Sequence, residues 1–264
     1  MPVAEHEIRF NDGAAYERMM GVWSRLAGEI FLDWLAPPPG LRWIDVGCGN
    51  GAFTELLVER CAPVEVQGID PSEAQLAFAR SRPAARVAKF RQGGAMELPF
   101  PDDSFEAAVM ALVIFFVPDP AKGVAEMARV VRPGGRIAAY AWDILGGGFP
   151  LELMRVEMLA MGVEIAQPPS PGASRIEALR ELWHTAGLEG VETREITVRR
   201  SFEGFEDFWT TSLLSSSMGP AAAAMDPSDL EQLKARVRAR LPADTAGRIT
   251  CSARANSVKG RMPK

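Results

Sequence analysis

Histidine is almost absent from this chain of 264 residues, with His6 and His184 the only two. Cysteine is nearly as scarce. Cys48, Cys61 and Cys251 lie far apart, are odd in number and form no Cys-x-x-Cys pair. These scarcities exclude a disulfide framework and nearly exclude a structural zinc site, so no bound metal is expected. Long apolar runs are missing too. The longest, Ala107 to Val117, falls well short of the ~20 residues that a membrane helix needs. The first residues contain acidic side chains and no apolar stretch of the kind a secretory signal carries. Charge of one sign is not in excess either: 29 Lys and Arg against 34 Asp and Glu leave a net charge of −5, which provides no broad basic surface for nucleic acid. Hydrophobic residues make up 47% of the chain, enough for a core without staples. The expectation is a cytoplasmic protein of a reducing compartment, with no nucleic-acid partner and no membrane span. Composition leaves its oligomeric state open.

What is present is an alternation of short apolar runs with helical periods over residues 41 to 142, the pattern of βαβ units and a parallel sheet. Leu41–Val46 reads as a first strand and Val64–Ile69 as a second. Val87–Arg91 is a weaker third, and Phe105–Leu112 is apolar enough for a strand buried on both faces. Ser72 with Gln75 predicts a capped helix through Arg80, and Asp119-Pro120 predicts the start of another. Arg136–Trp142 follows as a fifth strand. Beyond residue 143 the regularity breaks at Gly146-Gly147-Gly148 and at the proline-rich stretch from Gln167 to Gly172. Arg175–Ala186 is an amphipathic helix, Glu189–Val198 a sixth strand, and alternation from Ile249 to Ala255 a last one. Phe202, Phe205, Phe208 and Trp209 fall at helical spacing.

Gly47-Cys48-Gly49-Asn50-Gly51 sits between the first strand and a helix, where backbone N–H groups can face a ligand. Gly47, Gly49 and Ala52 also satisfy a loosened dinucleotide fingerprint. Asp45 at the end of the strand suits a ligand with an ammonium group and not a pyrophosphate. Asp70, about 20 residues past the loop, stands where ribose hydroxyls are bound in either reading. The ~40 residues before the first strand are more than a plain dinucleotide fold needs.

Four segments in order carry a family resemblance: Ile44-Asp45-Val46-Gly47-Cys48-Gly49-Asn50-Gly51, Gly68-Ile69-Asp70, Leu98-Pro99-Phe100-Pro101-Asp102-Asp103-Ser104-Phe105 and Val130-Val131-Arg132-Pro133-Gly134-Gly135. They resemble successive motifs of the class I S-adenosylmethionine-dependent methyltransferases, nearest to the small-molecule branch that includes the ubiquinone and menaquinone biosynthesis enzymes. The segment Tyr16 to Arg25 is similar, more loosely, to an N-terminal piece that covers the cofactor in such proteins. The resemblance implies an α/β, doubly wound, mostly parallel seven-stranded sheet of Rossmann-like kind whose last strand is antiparallel. It implies one domain over 1–264. Within it, 1–40 would be an N-terminal helical lid and 41–142 the cofactor-binding core. The segments 143–175, an insertion after the fifth strand, and 199–245 would be helical acceptor-pocket elements, leaving 176–198 and 246–264 as the remaining sheet elements.

The resemblance also assigns roles. Asp45, Gly47, Cys48 and Gly49 would surround the methionyl end of S-adenosyl-L-methionine, and Asp70 would take the ribose hydroxyls. Pro71, Ala95 and Met96 would flank the adenine, and Ala111 and Leu112 would lie beside the sulfonium. Tyr16, Met20, Trp23 and Arg25 would belong to the lid. In two places the chain departs from the family. Gly94 stands where many relatives carry an aspartate for the adenine amino group, and Phe115-Phe116 stand where many carry a His-His pair. The function implied is methyl transfer to a small apolar or aromatic acceptor, with Phe115, Phe116, Trp142, Phe208 and Trp209 as candidate acceptor contacts. No catalytic base is evident. Asp143, at the end of the fifth strand, is the weak candidate; His6 and His184 read as inert, and Cys48 as a packed small residue. A nicotinamide-dependent oxidoreductase would need a proton donor that the sequence does not offer. A non-catalytic cofactor-binding protein stays open.

Overall fold

The structure is a computed structural model that describes residue 8 and residues 13–264; the reading of His6 lies outside the described residues. A helical segment opens the described chain: α1 (Gly13–Tyr16) passes through one wide π turn, Glu17–Gly21, into α2 (Val22–Leu35). The core then follows as β1 (Arg42–Val46), α3 (Ala52–Cys61), β2 (Glu65–Asp70), α4 (Glu73–Ala79), β3 (Ala88–Gln92), β4 (Phe105–Ala111), α5 (Pro120–Val130) and β5 (Val131–Trp142). The second half adds α6 (Glu152–Ala160), α7 (Ile176–Thr185), β6 (Glu189–Phe202), α8 (Phe205–Ser212), α9 (Met218–Ala223), α10 (Pro227–Ala239) and β7 (Ile249–Arg261).

The seven strands form one sheet in the order β3-β2-β1-β4-β5-β7-β6. The first five strands are parallel, and β7 is antiparallel to both of its neighbours. Strand order reverses between β1 and β4, so the connections leave these two strands in opposite directions and open a crevice beyond their carboxyl ends. That is where ligands bind in open α/β sheets. Apolar character follows position. In β1, Trp43, Ile44 and Val46 are buried, and β4 buries Phe105 and Ala107 to Met110, as a parallel sheet covered on both faces requires. The helix starts follow local chemistry. The Asp119 carboxylate accepts the Lys122 N–H at 3.0 Å ahead of Pro120, and Ser72 Oγ accepts the Gln75 N–H at 3.4 Å ahead of α4. Trp183 of α7 is fully buried and donates its Nε1–H to the Ile137 carbonyl, locking that helix to β5.

Several boundaries differ from the sequence reading, among them β7, which runs past Ala255 to Arg261. Pairing in β5 begins at Val131, opposite Phe105, and shifts register before Arg136 meets Ala107, so the strand read as starting at Arg136 starts five residues earlier, with Arg132 to Gly135 an irregular stretch within it. Strand β6 continues past Val198 to Phe202 because β7 pairs with it down to Ile249, so residues 199–202 belong to the sheet and not to the helical acceptor elements. The aromatic stripe starting at Phe202 is therefore helical only from Phe205.

Candidate active site

The glycine loop occupies the crevice between β1 and β4. Gly47 has φ of 78°, and a Cβ there would lie 2.5 Å from the Val113 side chain, so no other residue fits without displacement. Gly49 also takes a positive φ of 52°, but nothing lies within 4 Å of where its Cβ would stand; its backbone faces open space. The N–H groups of Gly47 and Cys48 both donate to the Ile69 carbonyl, which ties the loop to the end of β2. The loop borders a cavity of roughly 2010 Å³, more than the ~300–1,000 Å³ of an ordinary small-molecule pocket. It has room for a nucleoside-sized molecule and a second ligand.

Two carboxylates mark the floor. Asp45 is fully buried, and its Oδ2 accepts the Thr54 hydroxyl at 2.6 Å. Its Oδ1 has no partner among the described residues. Burial, reinforced by the nearby negative charge of Asp70, pushes the Asp45 carboxyl up to about 7. Asp70 lies at the end of β2, where burial likewise raises its pKa and two backbone donors oppose the rise. These are the N–H of Gly49, 2.9 Å from Oδ2, and the N–H of Ser72, 2.8 Å from Oδ1. Asp70 thus straps the glycine loop and still keeps a lone pair on each oxygen. Two carboxylates here suit a positively charged ligand and disfavour a pyrophosphate; the cation that lines the cavity among the described residues, Arg236, is paired with Glu157.

The walls bring most of the expected residues together. Tyr16, Asp45, Gly47, Cys48, Gly49, Asp70, Pro71, Ala95, Met96, Ala111, Leu112 and Phe116 all line this cavity. Leu112 holds a positive φ of 63°, a strained state for a branched side chain, while its N–H donates to the Tyr140 carbonyl at 2.7 Å. Burial pushes the Cys48 thiol well above its ordinary range, which favours the protonated thiol over the thiolate.

An apolar annex of roughly 80 Å³ adjoins the cavity, sharing Tyr16, Leu112 and Phe116 with it and adding Met20, Phe115 and Trp142. Met20 accordingly faces the annex and not the glycine loop. Five expected residues line neither space. Trp23 is buried edge-on against Trp142, with ring centroids 6.5 Å apart. Arg25 points outward to Glu59 at 2.7 Å and Glu29 at 3.4 Å. Phe208 packs on Phe202, and Trp209 stacks on Phe205, so that stripe is core. Asp143 accepts two bonds from Arg254, at 2.6 and 3.1 Å, and one from the Gly146 N–H; it holds the turn after β5 and is no free base. His184 is exposed on α7.

Sequence reasoning missed what holds the N-terminal helices over the cavity. Asn50, buried inside the glycine loop, donates to the Gly13 carbonyl at 3.2 Å and to Glu17 at 2.9 Å. Arg82 bridges the Asn50 carbonyl, Glu55 and Glu17. Arg200, reaching from β6, donates to the carbonyls of Met19 and Arg18 inside the π turn. No local pattern relates Asn50 to partners more than thirty residues upstream. Residues between Met161 and Pro169 and between Ser216 and Met225 also line the cavity; they fall within the segments 143–175 and 199–245 that the sequence reading set aside for the acceptor pocket.

Residues 44–139 match a family described as a methyltransferase domain. Over that stretch the chain is similar to methyltransferases. Over 122 residues it is 36% identical to the 2-phytyl-1,4-naphtoquinone methyltransferase of Synechococcus elongatus, covering 44% of this chain and 51% of that protein. Over 106 residues it is 37% identical to the demethylmenaquinone methyltransferase of Desulfitobacterium hafniense, covering 38% and 42%. The chain thus spans about half the length of the curated relatives it matches. Outside the matched core the likeness is one of fold. The structure of Haemonchus contortus phosphoethanolamine N-methyltransferase 2 with S-adenosyl-L-methionine superposes with a TM-score of 0.59 at 18% identity, over 95% of this chain and 56% of that one.

Proposed function

We propose that this protein transfers a methyl group from S-adenosylmethionine to a small, apolar or aromatic acceptor. The observation that carries the reading is the unpartnered, buried Oδ1 of Asp45 in a cavity that the open backbone of Gly49 also lines, a place suited to an ammonium group. The bound cofactor supplies a methyl group on a sulfonium, an electrophile whose leaving group needs no proton. Asp45 would pair with the amino group of its methionyl end and Asp70 with the ribose hydroxyls. Gly47, Cys48 and Gly49 would pass beneath the chain joining them. Pro71, Ala95 and Met96 would enclose the adenine, and Gly94, with nothing within 4 Å of a Cβ position, leaves that ring without a carboxylate partner. Ala111 and Leu112 would border the sulfonium. Tyr16, Phe116 and the annex beyond would align the acceptor and exclude water, which is most of what an in-line displacement asks of a protein.

The quinone-type names of the relatives and the aromatic lining of the annex support an apolar or aromatic acceptor. Calorimetric titration tests the reading: S-adenosylmethionine and S-adenosylhomocysteine bind at micromolar levels without added metal, and NAD and NADP do not. Tight nicotinamide binding with no response to S-adenosylhomocysteine refutes it.

A further inference from the structure

The apolar annex closes on a single charge. Of the described residues lining it, Arg155 alone carries one. Arg155 stands on α6, in the insertion that follows β5, and it lines the annex but not the larger cavity where Gly49, Asp70 and Ala111 lie. It is therefore on the side away from the glycine loop. Its guanidinium is already oriented. Glu152, one turn earlier, accepts from Nε at 2.8 Å and from Nη2 at 2.6 Å, which occupies the side-on edge of the group. A guanidinium has five N–H donors in a fixed fork. Three remain, two on Nη1 and one on Nη2, and none has a protein partner among the described residues. The end-on edge is thus open for a second bidentate oxygen ligand. A second donor is also unmatched: Trp142 lines the annex, and its buried Nε1–H has no partner among the described residues.

Resting on the methyl-transfer reading above, we propose that Arg155 determines acceptor specificity by anchoring an acidic oxygen group, so that the acceptor is an apolar or aromatic carboxylate. Glu152 pre-orients the guanidinium, the aromatic walls take the body of the molecule, and the reacting atom is held toward Leu112 and Phe116, where annex and cavity join. Among the described residues the lining offers no carboxylate to repel such an acceptor. The same walls would accept a neutral aromatic of equal size, but it would leave the Arg155 donors unmatched, and unpaired donors are what give a polar site its discrimination.

The test uses the full chain saturated with S-adenosylhomocysteine and two matched probes, cinnamate and cinnamamide, followed by titration calorimetry. Cinnamate binds at least about tenfold more tightly than the amide, the worth of one charge-assisted pair. Arg155→Met abolishes the preference while the affinity for S-adenosylhomocysteine, which reports the integrity of the fold, is unchanged. Arg155→Lys keeps part of the preference, a point charge without the fork. Equal binding of the two probes, binding of neither, or a preference that survives in Arg155→Met overturns the proposal. Failure of the wild type to bind S-adenosylhomocysteine at the outset overturns the methyl-transfer reading itself, and this inference with it.

Discussion

Asp45→Asn is expected to stabilise the empty protein and to cripple its binding site, two effects of opposite sign from one atom pair. The carboxyl of Asp45 rises from 3.8 to about 7 on folding because it is buried. Between those values the folded chain holds a proton that the unfolded chain has lost. Stability from this group is therefore greatest below about pH 4 and declines as pH rises to about 7. Three units at ~1.36 kcal/mol each give an upper limit of about 4 kcal/mol lost at pH 8. Asparagine has the same shape, can accept the Thr54 hydroxyl, and never ionises. It should recover up to about 4 kcal/mol at pH 8 and about 1.6 kcal/mol at pH 5, read as ~2–4 °C of melting temperature per kcal/mol. At pH 8 the same variant loses the charge partner for the cofactor's ammonium group, weakening S-adenosylhomocysteine binding by about tenfold or more. In the wild type, affinity falls as pH drops below about 7, by up to about tenfold per unit, because the carboxyl must first give up its proton. Thermal melts and calorimetry at pH 5 and pH 8 measure all of this. A variant that melts lower than wild type at pH 8 and binds as well as wild type refutes both the buried charge and its role.

Gly94→Asp fills open space and offers the adenine amino group an acceptor; S-adenosylhomocysteine should bind about tenfold more tightly, with no change in melting temperature beyond about 0.5 kcal/mol equivalent. Asn50→Ala removes the two bonds that tether the N-terminal helices, so the empty protein should lose about 1–3 kcal/mol and bound S-adenosylhomocysteine should dissociate at least several-fold faster in stopped-flow measurements. Among the described residues the annex wall contains no histidine and no carboxylate, and burial pushes the Tyr16 hydroxyl up to about 12. The kcat profile should therefore show no enzyme group titrating between about pH 6 and 8, where histidine would appear, whereas kcat/KM for S-adenosylmethionine should fall below about pH 7 with Asp45. A bell-shaped kcat curve abolished by His184→Gln or Asp143→Asn contradicts this.

The parallel core was legible because burial on both faces leaves strands such as Phe105–Ala111 as continuous apolar runs, and because Asp119-Pro120 and Ser72 announce helix starts chemically. The crevice was legible because glycines with positive φ, such as Gly47, follow a strand directly. Side-chain direction was not. The spacing of Phe205, Phe208 and Trp209 shows that one helix face is buried, but not that Phe202 and its own neighbours bury it. Trp23 and Arg25 are two residues apart on α2, so they point to different sides; one became core and the other a surface ion pair. Asp143 looked free in the sequence because its partner, Arg254, lies 111 residues away in the antiparallel strand. The tether at Asn50 and the open fork of Arg155 depend on the same kind of distant approach, which no local period encodes.

The most direct test of the account is a crystal structure of the chain with S-adenosylhomocysteine. The account predicts the amino group on Asp45 Oδ1, the ribose hydroxyls on Asp70, and the sulfur beside Leu112 with the annex open beyond it. A ligand found elsewhere, or lying in the crevice with its amino group turned away from a still unpartnered Asp45, contradicts it.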